Sequence, residues 1–143
     1  MLNFGKSVPQ EIRDILESAV KNMISTPCLV KVRFKNQKYL QENTGHLDCF
    51  ISGSADYKNG KGFIYLAKEM RDPALLWKML HCFAHEMAHV IQFDAGSLAY
   101  SDTGFLWMGK DWEGDYSEQP WELEAEEYAD MFLNQMLIKG IDI

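Results

Sequence analysis

Residues 81–93 read HCFAHEMAHVIQF, three histidines and one glutamate in a stretch that is otherwise almost wholly apolar. Imidazole and carboxylate groups are costly to bury unless something pairs with them. Placed on a helix over residues 73–93, the apolar side chains Leu75, Leu76, Trp77, Met79, Leu80, Phe83, Met87, Val90, Ile91 and Phe93 cover most of the circumference. That distribution predicts a buried helix. The polar exceptions Lys78, His81, His85, His89 and Gln92 recur at three- and four-residue spacing and form a single stripe. Glu86 sits about one residue's rotation to the side. A solvent stripe would favour Lys, Glu and Arg, whereas this one is dominated by imidazoles. His85 and His89 are the i, i+4 pair of an H-E-x-x-H pattern, HEMAH. One turn apart, two rings on one face can converge on a single Zn²⁺, with Glu86 near the ion as a general base that does not bind it. His81 extends the stripe by a turn. Three successive i+4 histidines do not fit one tetrahedral centre, so His81 is read as a cleft or core residue. Cys82 reads as packing, and His46 as a surface residue in a turn.

Around that helix the chain reads as α+β. SVPQEIRDILESAVKNMIS puts Ile12, Ile15, Leu16, Val20 and Met23 at helical spacing, with Ser7 as a cap and Pro9 near the first turn. Residues 27–34 read as a strand, HLDCFISG (residues 46–53) as a second, and residues 60–68 as a third after a turn-like KNGKG. Asp72-Pro73 begins the histidine helix and Gly96 ends it. Residues 97–119, rich in Gly, Ser, Asp and aromatics, read as an ordered loop. A last helix runs from Pro120 to before Gly140, with Lys139 near its C-terminus. The expectation is one domain over residues 1–143, with a small mixed or antiparallel sheet covered by helices.

Two histidines leave a catalytic zinc centre short of one protein ligand. No histidine follows His89, so the acidic run PWELEAEEYAD (residues 120–130) is the natural source. On that helix Trp121, Ala125, Tyr128, Ala129, Phe132 and Met136 define the inward face. Glu122 lies beside it and is favoured over Glu124 as third ligand. Glu126, one turn on, is placed to orient a histidine, while Glu127 and Asp130 point outward and read as solvated. Tyr116, just before the helix, is the candidate donor to an oxyanion, with Tyr128 and Tyr100 as others. The aromatic stretch GFLWMGKDW either walls the cleft and selects an apolar side chain or plugs the core.

Composition narrows the partners. A net charge of −7 argues against a general nucleic-acid or anionic-membrane binder. The N-terminal stretch lacks the long apolar core of a signal peptide, and no apolar run approaches the roughly 20 residues of a membrane span. Cys28, Cys49 and Cys82 are odd in number, widely spaced and without a CxxC pair, which reads as reduced thiols. A cytoplasmic protein is expected.

HEMAHVIQ together with PWELEAEEYAD resembles a minimal zincin of the gluzincin type, specifically the small ImmA/IrrE-type metallopeptidases and their phage-encoded relatives. In those a downstream helix carries a pattern like E-x-x-A-[ND]-x-[FY]-A. Glu122, Ala125, Tyr128 and Ala129 follow it, and Glu126 stands where the family has Asn or Asp. The resemblance spans roughly residues 60–137. It implies a zinc-dependent peptidase with His85, His89 and Glu122 as ligands and a protein or peptide substrate. It also implies that the strand before the active helix, GFIYLA, is a sheet edge to which a peptide can add. For a phage-encoded relative the compartment would be the host cytoplasm. SprT-like proteases, which act on DNA-bound proteins, share HExxH but commonly use a third histidine, and a zinc-binding module without catalysis is the other competing class.

Overall fold

The computed structural model describes residues 2–23, 26–102, 104–112, 114 and 118–138. It is α+β, and its sheet is mixed. Strands β1 (Leu2–Phe4), β2 (Val30–Lys35), β3 (Gly53–Lys58) and β4 (Lys61–Ala67) stand in the order β1-β2-β4-β3. The β1–β2 and β2–β4 pairs are parallel and β3–β4 is antiparallel. Helices α1 (Gln10–Met23), α3 (Leu76–Ala95) and α4 (Pro120–Ile138) supply the core with the sheet, and α2 (Gln37–Thr44) packs beside β3 and β4 and adds the buried Leu40.

The alternation in β2 and β4 explains the layers. Val30, Val32 and Phe34 lie directly opposite Gly62, Ile64 and Leu66, and the apolar members of this row are buried. Opposed residues share a face, so the row makes one apolar floor. Ile12, Leu16, Phe83, Phe132 and Met136 from three helices fill the space above it. On the other face Tyr39 of α2 meets Tyr65 edge-on, with centroids 5.3 Å apart.

Two glycines let α3 lie close to the sheet. A Cβ at Gly62 would stand 2.5 Å from Val90 Cγ1, and one at Gly53 would stand 2.6 Å from Cys82 Sγ. Both distances are inside van der Waals contact, so only glycine leaves room. The histidine stripe is thereby held beside β3. Cys82 is buried there, and burial pushes its thiol pKa up.

Several local readings change. Residues 46–52 form a turn and an irregular stretch, and the strand begins only at Gly53, as β3. GFIYLA belongs to β4, which has neighbours on both sides, so the edge beside the histidine helix is β3. The expected loop contains a three-stranded antiparallel sheet of β5 (Leu98–Ser101), β6 (Gly104–Trp107) and β7 (Lys110–Asp111). Ser7 uses its hydroxyl to accept from the Phe34 N–H at 3.3 Å, tying the start of α1 to β2. Asp72 does cap, accepting from Ala74 N–H at 3.0 Å, but a 3-10 turn over Pro73–Leu75 precedes α3. Trp77 is not part of the buried surround; it is 42% exposed. The Met23 side chain, Tyr116, Lys139 and Gly140 lie outside the described residues. Among those described, no helix is long and apolar enough to cross a membrane.

Candidate metal centre

The last four turns of α3 carry the stripe to the wall of a cavity of about 490 Å³. His85 and His89 face α4 there, and Glu122, in the first turn of α4, reaches both rings. His85 Nε2 lies 3.0 Å from Glu122 Oε2, His89 Nε2 lies 3.0 Å from Glu122 Oε1, and the two Nε2 atoms are 3.2 Å apart. Ligand atoms about 2.1 Å from a tetrahedral ion stand ~3.4 Å from one another, so the spacing suits a shared cation. The donor chemistry agrees. Two imidazole nitrogens at this separation repel unless a proton or a cation stands between them. These three residues could therefore hold a metal ion.

The histidine tautomer follows from Gln92, which is buried. Its Nε2 donates to the Trp121 carbonyl and to Glu124 Oε1, both at 3.0 Å. The amide orientation is thus settled, and it is Oε1 that faces His89 Nδ1 at 2.9 Å. Nδ1 must be the donor there. In the neutral ring the lone pair then sits on Nε2, pointing into the cluster. On His85, Glu126 Oε1 stands 2.7 Å from Nδ1, an ion-pair distance without the angle of a hydrogen bond.

Glu86 is buried and lines the same cavity beside the two histidines. Burial raises its carboxyl pKa, while the facing imidazoles pull it back. Burial also opposes charge on His85, but the Glu122 hydrogen bond and the carboxylates of Glu86, Glu122 and Glu126 outweigh it and raise its pKa to about 9. Burial likewise works against the Glu122 anion; the bonds from His85 and His89 prevail and lower it to about 2. In the absence of a cation, protons hold this cluster together.

Of the residues singled out from sequence, His85, Glu86, His89 and Glu122 come together at one site. Glu124 is turned to Gln92 and stays outside the cluster. Asp130, expected to point away, faces His81, with its Oδ1 3.2 Å from His81 Nε2. Glu126 Oε2 is 3.7 Å from the same nitrogen, so Glu126 stands between two histidines. His46 is exposed and is among the residues that line the cavity. Of the tyrosines considered as oxyanion donors, Tyr116 lies outside the described residues, Tyr128 packs against the core, and Tyr100 lines the cavity. The sequence marks Gln92 only as one member of the stripe; its role needs the position of Trp121 on another helix.

β3 forms the opposite bank. The Ala67 N–H donates to Ser52 O, and the register pairs Ser54 with Tyr65 and Asp56 with Phe63. Even-numbered residues therefore turn their backbone groups toward β4, and Gly53, Ala55 and Tyr57 turn theirs outward. The Tyr57 N–H donates to Tyr100 Oη at 3.3 Å, in keeping with that phase.

No protein-family model, curated protein or solved structure matches this chain. Its own fold and site define an α+β protein with a half-buried His/His/Glu cluster able to hold a metal ion.

Proposed function

We propose that the protein is a zinc-dependent peptidase of minimal zincin-like build, with His85, His89 and Glu122 as ligands and Glu86 as general base. The observation that carries this reading is the convergence of both Nε2 atoms and the Glu122 carboxylate within 3.0–3.2 Å, in a cavity that Glu86 also lines. Two imidazoles and one carboxylate are a donor set suited to zinc. When bound, Zn²⁺ supplies a Lewis acid for the scissile carbonyl and lowers the pKa of water at an open position.

The chain's own groups account for the rest. Gln92 holds the His89 ring in orientation through its hydrogen bond, and the Glu126 carboxylate stands behind the His85 ring at ion-pair distance. Glu86 accepts a proton from the attacking water and returns it to the departing amine. The outward N–H and C=O groups of Gly53 and Ala55 receive an extended peptide as an added strand, across from His85 and His89. This edge replaces the one that the resemblance implied. A closed structural centre gives no role to a carboxylate beside the ligands and favours cysteine; the cluster contains none.

The test is hydrolysis of a diverse peptide mixture by the zinc-loaded full chain, followed by mass spectrometry. Glu86→Gln is expected to keep its zinc and to lose about 10²–10⁴-fold in rate. Equal product formation by wild type and Glu86→Gln, or failure of the wild type to take up zinc, overturns the reading.

A further inference from the structure

Next to the metal cluster the cavity wall turns aromatic. Phe93 of α3, Tyr100 of β5, Phe105 of β6 and Trp121 of α4 line the same space as His89 and Glu122. Ring centroids are 4.7 Å apart for Phe93–Tyr100 and 5.7 Å for both Tyr100–Phe105 and Phe105–Trp121. Phe93 and Trp121 are buried at the back, whereas Tyr100 is 48% and Phe105 39% exposed. A core plug would have closed over these rings. Instead Tyr100 and Phe105 line the cavity and stay partly exposed, and apolar surface left in water costs free energy. The enclosure is also fastened in place. Tyr100 Oη accepts from the Tyr57 N–H and donates to Asp56 Oδ1, each at 3.3 Å, joining the small sheet to the end of β3.

The direction of a bound chain follows from the groove. Cys82 packs at Gly53, and Phe93 stacks on Tyr57 with centroids 6.0 Å apart, so α3 and β3 run the same way. Outward residues of β3 offer N–H and C=O on one side, which a partner of either direction can use, and the antiparallel pairing is the more stable per residue. An antiparallel peptide enters at Tyr57 and Phe93 and leaves at Gly53 and Cys82. Its N-terminal part therefore lies against the aromatic rings. His89 and Phe93 are one turn apart, about 6 Å along the helix, and an extended chain advances ~3.4 Å per residue. The rings fall opposite the first two residues on the N-terminal side of the bond at the cluster.

We propose that this aromatic enclosure is a specificity pocket that takes one large apolar side chain from the first or second residue N-terminal to the cleaved bond. The pocket rests on the metallopeptidase reading and adds the substrate class: extended peptides carrying Phe, Tyr, Trp or Leu there. The probes are three peptide hydroxamates, Ac-Ala-Ala-NHOH, Ac-Phe-Ala-NHOH and Ac-Ala-Phe-NHOH. They chelate the metal and place their side chains on that side alone. Calorimetric titration into the zinc-loaded full chain should show one of the phenylalanine compounds binding about tenfold or more tighter than the alanine compound. That ratio should fall toward one in Phe105→Ala and in Tyr100→Ala, each checked for zinc content and near-UV circular dichroism. Phe105→Leu is the milder variant, with a partial fall. Equal affinity of all three compounds for wild type, or an unchanged ratio in correctly folded variants, overturns the pocket and leaves the metal site standing. Failure of every hydroxamate to bind zinc-loaded protein overturns the metallopeptidase reading itself, and the pocket with it.

Discussion

Replacing Glu122 by Gln is the sharpest perturbation of the proposed ligand set. Among the described residues, Glu122 is the acidic side chain that reaches both Nε2 atoms, at 3.0 Å each. Gln keeps the shape but loses the charge, and one of its two terminal atoms becomes an NH₂ that cannot ligate. Structural zinc sites with four ligands bind with ~10–16 kcal/mol at neutral pH, or ~2.5–4 kcal/mol per ligand. Loss of one ligand should then raise the dissociation constant by about two to three orders of magnitude. Glu124→Gln is the internal comparison. Its carboxylate touches Gln92 and not the histidines, so its effect should stay within about threefold. Competition with a chromogenic chelator at fixed pH and salt reads both. Wild-type affinity in Glu122→Gln, or an equal loss in Glu124→Gln, would refute the assignment of the third ligand.

Three further outcomes are expected. Gln92→Leu removes the acceptor at His89 Nδ1 and should weaken metal binding about 10–100-fold in the same titration; unchanged affinity would deny Gln92 its orienting role. In the metal-free chain the His85 pKa rises from 6.5 to about 9, so its stabilising contribution is full below pH 6.5 and is lost as pH climbs through about 9. Glu122 falls from 4.5 to about 2, so its contribution is present above pH 4.5 and is lost as pH drops through about 2. Because a cation must displace the His85 proton, the gap in melting temperature between zinc-loaded and chelator-treated protein should widen from pH 6.5 upward; a gap that narrows contradicts this. Gly53→Ala puts a Cβ 2.6 Å from Cys82 Sγ and 2.9 Å from the Tyr65 carbonyl oxygen, and should cost about 1–3 kcal/mol in denaturant unfolding. Cys82→Ala should relieve only the sulfur part of that clash, and a fully additive double mutant would count against it.

What the sequence determined by itself is what depends on phase along one element. A 3.6-residue period sets which side chains share a face, so the stripe of Lys78, His81, His85 and His89 is legible without any neighbour. The same reasoning on α4 put Trp121, Ala125, Tyr128, Ala129, Phe132 and Met136 inward; Tyr128 is partly buried against the core and the other five are buried. It also brought Glu122 to the edge of that face, from which it meets both imidazoles. Only the tertiary structure decided what depends on pairing. Whether β3 or β4 is the edge, and that Gly53 and Ala55 face outward there, follow from backbone hydrogen bonds between strands, which leave no trace in the side-chain pattern. The small sheet of residues 98–111 was unreadable for a similar reason: its strands are two to four residues long and held by contact with Phe93 and Trp121. The orientation of His89 and the proximity of Asp130 to His81 were out of reach as well, because Gln92, on the same helix as His89, takes its own orientation from Trp121 and Glu124 of α4, and Asp130 meets His81 across the two helices; a polar side chain's own sequence says nothing of the partner that folding brings to it.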